Sequence, residues 1–270
     1  MKRFLVGFMA SILILTIVAG CGSTKQTTPT PAPAGEQKKE STTPTVDKIK
    51  KDGKLLVGTS PDYPPFESLD KENKVIGFDI DLMQAVADKL GVKLEVVQLG
   101  FDGLIAALSA KKFDIMAAGV SVTEDRKKTV DFSKPYLIGQ DAIVMHKDAT
   151  DKITKLEDLK GKKVAVQIGT VQADNVKKIE GITVKEYNLF TEAAAAVSSK
   201  QADAVYLHQV VATAFVNADK NLKIVGTIPA SDTAYALRKD SADLTTVVNQ
   251  VIDELQKSGK FDELVKKWFK

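Results

Sequence analysis

Between Gly119 and Ser133 the sequence reads GVSVTEDRKKTVDFS, and six consecutive positions hold Ser121, Thr123, Glu124, Asp125 and Arg126. Thr123 stands where a helix N-cap belongs, with two acids in the first turn. The unpaired N–H groups of a helix start favour an anion. Ser121, just upstream at a strand end, adds a hydroxyl, and Arg126 adds a planar, bidentate cation. Together these groups can clamp a carboxylate. The same spacing also describes a well-capped helix whose Arg126 pairs with its own acids, and spacing does not separate the two.

Two further stretches carry polar or aromatic groups at strand ends. GTSPDYPPFES follows an apolar strand, so Ser60 to Phe66 lie at that strand's C-terminal end, in a loop stiffened by proline. Tyr63, Phe66 and Phe101 can each present a flat face to a side chain, or belong to the core. VQIGTVQ, residues 166–172, reads as a strand end, a glycine turn and a helix start. Backbone N–H groups near Thr170 and the amides of Gln167 and Gln172 can bind polar groups there.

Other chemistry has little support. The two histidines, His146 and His208, are not at metal-ligand spacing, and no P-loop, G-x-S-x-G or G-x-G-x-x-G pattern occurs. No metal and no cofactor is expected. The formal charge of +3 becomes +1 once Lys2 and Arg3 are set aside, which argues against nucleic acid as a partner.

These stretches need elements to hold them, and the periodicity supplies them. LLVGT is a strand, and FDIDLMQAVADKLG is a helix with Leu82, Met83, Val86, Ala87 and Leu90 on one stripe and Gly91 as its stop. VKLEVVQ and FDIMAAG are strands around the helix DGLIAALSAKK, and the alternation repeats through KKVAVQ, TVKEY and DAVYL. The chain ends in two helical stretches. Strands alternating with helices imply an α/β fold with mostly parallel sheets covered on both faces. The length exceeds one compact half, so two lobes are expected, with ligands at the C-terminal ends of strands.

The N-terminus has a different character. MKRFLVGFMASILILTIVAGC has a basic start and an apolar run that suits a signal peptide better than a membrane span. Val18-Ala19-Gly20-Cys21 resembles the bacterial lipobox, and Cys21 is the chain's one cysteine. Gly22–Thr45 is rich in Thr and Pro and has almost nothing to bury. As a flexible tether it would span about 27 Å.

From about Lys54 to Lys270 the chain resembles the extracellular solute-binding proteins of ABC importers for polar amino acids, family 3. The matching pieces come in the family's order: VGTSPDYPPFES, GFDIDLMQAVADKLG, FDGLIAAL, FDIMAAGVSVTEDRKKTVDFSKPY, GKKVAVQIGTVQ, ADAVYLHQVVA and SGKFDELVKKWF. The resemblance implies a periplasmic-binding-protein-like fold, two α/β lobes joined by two crossovers with ligand between them. It implies that Ser121 and Arg126 hold a ligand α-carboxylate, with the backbone at Gly119 helping, and that Tyr63 and Phe101 flank the side chain. Ser60 matches a position where members with basic ligands often carry an acid. Gln167, Thr170 and Gln172 match contacts of the second lobe.

One position departs. After ADAV the family usually has an Asp that pairs with the ligand's α-ammonium, and that place is His208 here. An enclosed ammonium needs a partner, and a neutral imidazole brings no negative charge. Either another acid substitutes, with Asp62 and Asp232 nearest by loop, or the ligand is not an ordinary α-amino acid, or His208 lies on the cleft rim and its neighbours do the work.

The expected organisation is a signal peptide over 1–20, a lipidated Cys21 with a tether over 21–45, a first lobe over 46–138 and 232–270, and a second lobe over 139–231. The expected protein is a monomeric, non-catalytic binding component of an importer. It would be anchored by its lipid to the outer face of the membrane and would deliver a polar amino acid or related small carboxylate to a permease. An enzyme resembling cyclohexadienyl dehydratase on the same scaffold, and a ligand sensor, are the alternatives.

Overall fold

The computed structural model describes residues 44–269. Helix α1 spans Thr45–Asp52 and strand β1 spans Lys54–Thr59. Three short strands follow, β2 (Asp62–Tyr63), β3 (Glu67–Leu69) and β4 (Val75–Ile76). Next come α2 (Phe78–Leu90), β5 (Lys93–Gln98), α3 (Phe101–Ser109), β6 (Ile115–Met116), α4 (Glu124–Thr129) and β7 (Val130–Phe132). The chain continues through β8 (Gln140–His146), β9 (Lys163–Gln167), α5 (Val171–Lys177), β10 (Thr183–Tyr187), α6 (Phe190–Ser198), β11 (Ala204–His208), α7 (Gln209–Ala218) and β12 (Leu222–Pro229). It closes with β13 (Ala236–Arg238), α8 (Ala242–Ser258) and α9 (Lys260–Trp268).

Two five-stranded sheets form the two lobes. Their strand orders are β5-β1-β6-β13-β7 and β10-β9-β11-β8-β12, and β2, β3 and β4 make a small third sheet. Three strands in each large sheet are parallel, as the alternation of strands and helices predicts. The strand that brings the chain across from the other sheet is the exception. β8 enters the second sheet antiparallel to β11 and β12, and β13 re-enters the first antiparallel to β6 and β7. A crossing chain arrives at the opposite end of the sheet from one that returns over a helix, so its direction is reversed.

The two crossing segments run side by side. Thr233 N–H donates to the Leu137 carbonyl at 2.9 Å, Tyr136 N–H to the Thr233 carbonyl at 3.0 Å, and Ala230 N–H to the Gly139 carbonyl at 3.2 Å. Asp232 accepts from Gly139 N–H at 2.9 Å. That carboxylate therefore secures the crossover and is not among the residues lining the cleft described below.

The apolar stripes fall inward. Leu82, Met83, Val86 and Ala87 of α2 are fully buried, and Gly91 ends the helix at φ +72°, a left-handed conformation that glycine adopts without strain. Leu104 and Leu108 of α3 pack with Phe113, Met116, Val130 and Ala236 against the first sheet. Leu104→Ala there would cost about 2–5 kcal/mol through lost burial and the cavity left behind. The matching cluster in the second lobe joins Ile143, Val164 and Val166 to Ala173 and Val176 of α5. Thr45, expected at the end of a tether, instead opens α1 and donates its hydroxyl to Ser241 Oγ at 3.1 Å. The expected signal peptide and Cys21 lie outside the described residues. Among the described residues no helix is long and apolar enough to cross a membrane.

Candidate functional site

The carboxyl ends of β1, β6 and β9 face one cleft between the sheets. Ser60, Asp62, Tyr63 and Glu67 line it from the loop after β1 and the small sheet. Phe101, Gly119, Ser121 and Arg126 add the rest of the first lobe's wall, and Gln167, Thr170 and Gln172 form the second lobe's wall. The walls lie close together: about 310 Å³ separates their atoms, open solvent included, and little of it is wide enough for a water molecule. Nine of the ten ligand-contact positions expected from sequence thus share one cavity, which is the arrangement open α/β sheets favour. The tenth, His208, is not in the lining.

Thr123 caps α4 as expected, its hydroxyl accepting from Arg126 N–H at 3.2 Å. The acids of that first turn pair with lysines, Glu124 with Lys127 at 2.8 Å and Asp125 with Lys128 at 2.7 Å. Arg126 therefore does not pair with its own acids. Its Nη1 donates to the Ser121 carbonyl at 2.9 Å, and its Nη2 reaches the Gly169 carbonyl of the second lobe at 3.2 Å. The guanidinium carbon lies 5.5 Å from the centre of the Phe101 ring, over its face. Burial draws the Arg126 pKa down, with Asp174 opposing, and among the described residues no carboxylate makes an ion pair with it. A cation held by carbonyl dipoles and a ring face keeps the capacity to bind an anion.

Gly119 is left-handed at φ +54°, and a Cβ there would come within 3.0 Å of the Tyr63 ring. Its backbone is expected to help hold a ligand, and of that backbone the N–H donates to Asp79 Oδ2 at 3.1 Å. Gly119 therefore shapes the wall and leaves its donor on the protein side. Asp79 is fully buried and also accepts from the hydroxyls of Tyr136 at 2.8 Å and Tyr235 at 3.0 Å. Burial raises its pKa to about 6 against the pull of those three bonds.

Tyr63 and Phe101 do not face one another as a plain pair. The Tyr63 ring stacks on Phe190 of the second lobe at 4.8 Å, while Phe101 carries the Arg126 guanidinium. Asp62 stands between the lobes. It accepts from Ser60 Oγ at 2.8 Å, from Gln167 Nε2 at 3.0 Å and from Phe190 N–H at 2.6 Å. Burial raises its pKa and these bonds lower it. Thr170 caps α5 and donates to the Gln167 carbonyl at 2.7 Å, and Gln172 donates to Asp141 at 2.9 Å.

His208 sits behind this wall, not on the rim. It is 3% exposed, its ring meets the Phe66 ring edge-on at 5.7 Å, and its backbone N–H donates to the Tyr63 hydroxyl at 3.1 Å. Nδ1 accepts from Val210 N–H at 3.3 Å, so the imidazole caps α7. Burial pulls its pKa down to about 4, which keeps the ring neutral near pH 7. Glu67 is the lining residue that sequence reasoning passes over. It is one acid in PPFES, and no spacing marks it as different from a surface glutamate.

The model of the family described as bacterial extracellular solute-binding proteins, family 3, matches residues 55–270. The chain belongs to that family. This solute-binding protein is 36% identical over 223 residues to the arginine-binding extracellular protein ArtP of Bacillus subtilis (strain 168), covering 80% of this chain and 86% of that one. It is 32% identical over 273 residues to a probable histidine-binding protein of Campylobacter jejuni, with 99% of each chain covered. Among solved structures it is similar to holo ArgBP from T. maritima, with a TM-score of 0.76 at 44% identity over 83% of this chain and 99% of that one. These relatives are named as binding proteins, and this chain is a solute-binding protein of the same family.

Proposed function

We propose that this solute-binding protein is the lipid-anchored receptor of an ABC importer, capturing a polar amino acid or related small carboxylate between its lobes. The observation that carries the reading is Arg126, a half-buried cation in the cleft that is unpaired with the acids of its own helix. In the proposed complex the ligand carboxylate takes the guanidinium, with Ser121 beside it, while Tyr63, Phe101 and the second lobe's Gln167, Thr170 and Gln172 enclose the rest. The names of the relatives, which are arginine- and histidine-binding proteins, support an amino acid as the ligand. Closure favoured by contacts to both lobes is what a permease would recognise. Lobe 1 then comprises 46–138 and 232–270, and lobe 2 comprises 139–231. Lipidation at Cys21 would hold the receptor at the outer face of the membrane as a monomer.

A thermal-shift screen over the amino acids, followed by calorimetry, tests the reading. A ligand raises apparent stability by mass action, and Arg126→Ala is expected to weaken binding by about tenfold or more. Unchanged affinity in that variant would sink the carboxylate clamp. Labelled palmitate entering the wild type but not Cys21→Ser would support the anchor, and its absence from both would remove it.

A further inference from the structure

The cleft holds a second anomaly besides Arg126. Glu67 lines it, is 1% exposed, and among the described residues neither carboxyl oxygen has a hydrogen-bond partner. A buried polar group without a partner is costly, and a buried carboxyl most of all. Asp62, the other acid in the wall, is already bonded to Ser60, Gln167 and Phe190. Asp232 secures Gly139, and His208 is neutral behind Tyr63 and Phe66. Glu67 is thus the acid at the cleft with its acceptor capacity unspent.

We propose that Glu67 receives the positively charged nitrogen of the ligand, in place of a residue at position 208, and releases its own proton as it does so. This rests on the proposed function above, since it assigns the opposite end of the same ligand. The groups facing Glu67 favour a proton on the empty site. Asp79 of α2 and Asp62 of β2 both repel a charge there, Tyr63, Tyr136 and Tyr235 are neutral hydroxyls in the same field, and the cation on the cleft wall is Arg126. Burial, then Asp79 and Asp62, hold the Glu67 carboxyl well above the usual carboxylate range. A ligand cation stabilises the ionised form. The proton leaves Oε–H for solvent, and the carboxylate left behind pairs with the ligand nitrogen. Affinity therefore rises with pH while the empty site remains protonated.

The test is calorimetry of the full chain with arginine and with glutamine, in buffers of different ionisation enthalpy, on wild type, Glu67→Gln and Glu67→Asp. The wild type is expected to release about one proton per ligand bound. Release with both ligands assigns Glu67 to the α-ammonium, and release with arginine alone assigns it to the side-chain cation. Glu67→Gln keeps the shape and neutrality of the empty site, so the unliganded melting temperature should hold. Its affinity should fall about tenfold or more, and its proton release should vanish. Glu67→Asp, one methylene shorter, should bind more weakly yet still release a proton. Wild-type binding without proton release, or the same affinity and release in Glu67→Gln, overturns the assignment while leaving Arg126 as the carboxylate receptor. If the wild type binds neither these nor any other amino acid or small carboxylate, the proposed function fails and this assignment fails with it.

Discussion

Arg126 of the first lobe donates to the Gly169 carbonyl of the second at 3.2 Å, so one side chain both faces the cleft and spans it. A ligand carboxylate would compete with a backbone carbonyl for the same guanidinium, and an ionised acceptor makes roughly twice as strong a bond as a neutral one. The exchange would turn a weak interlobe contact into a shared contact through the ligand.

A lysine at this place keeps the charge but loses the planar fork. Arg126→Lys should therefore weaken binding of whichever amino acid stabilises the wild type, by about tenfold, while the unliganded melting temperature stays close to wild type. Titration calorimetry beside a melting curve reads both, and full affinity in the lysine variant would show that the fork is not used.

Closure of the empty protein should depend on Asp62. Its carboxylate bonds Gln167 and Phe190 of the second lobe from β2 of the first. Asp62→Ala removes these charge-assisted contacts, each typically worth about 1.5–3 kcal/mol. Small-angle scattering should then show a larger radius of gyration for the unliganded variant than for the unliganded wild type. Identical profiles would mean that other contacts close the cleft.

The acid side of the stability profile should carry His208. Its folded pKa, about 4, lies below the unfolded value of 6.5, so the fold prefers the neutral ring. The stability involved is present above pH 6.5 and is lost as pH falls toward 4, by at most about 3 kcal/mol. Asn is also a good N-cap, so His208→Asn should keep α7 capped and lose less stability on acidification. Parallel urea-denaturation profiles of the two proteins from pH 7 to 4 would contradict this.

Asp79 should act in the opposite sense. Its folded pKa, about 6, lies above its unfolded 3.8, so it costs stability as pH rises through that window. Asp79→Asn should remove that slope at modest cost, because the two tyrosine hydroxyls can turn to accept from the amide while Gly119 keeps an acceptor. Asp79→Ala leaves all three donors buried and should cost about 3 kcal/mol or more. Urea denaturation at pH 4 and pH 7 measures each, and equal losses for Asn and Ala would refute the role of the hydroxyls.

The sequence by itself determined the elements and most of the cleft wall. Apolar periodicity and capping are local, so the stripe of α2, the cap at Thr123 and the strand ends at Ser60, Gly119 and Gln167 are legible in short stretches. An α/β order then brings strand ends together whatever the side chains are. Only the tertiary structure decided which donors and acceptors remain unspent there. Glu124 and Asp125 choose Lys127 and Lys128 and leave Arg126 to the cleft. Gly119 spends its amide on Asp79, and Asp62 meets an amide 128 residues away. His208 turns to cap a helix, and Glu67 is left without a partner. These outcomes are competitions among groups far apart in the chain, settled by burial and distance, and spacing carries no record of which partner wins.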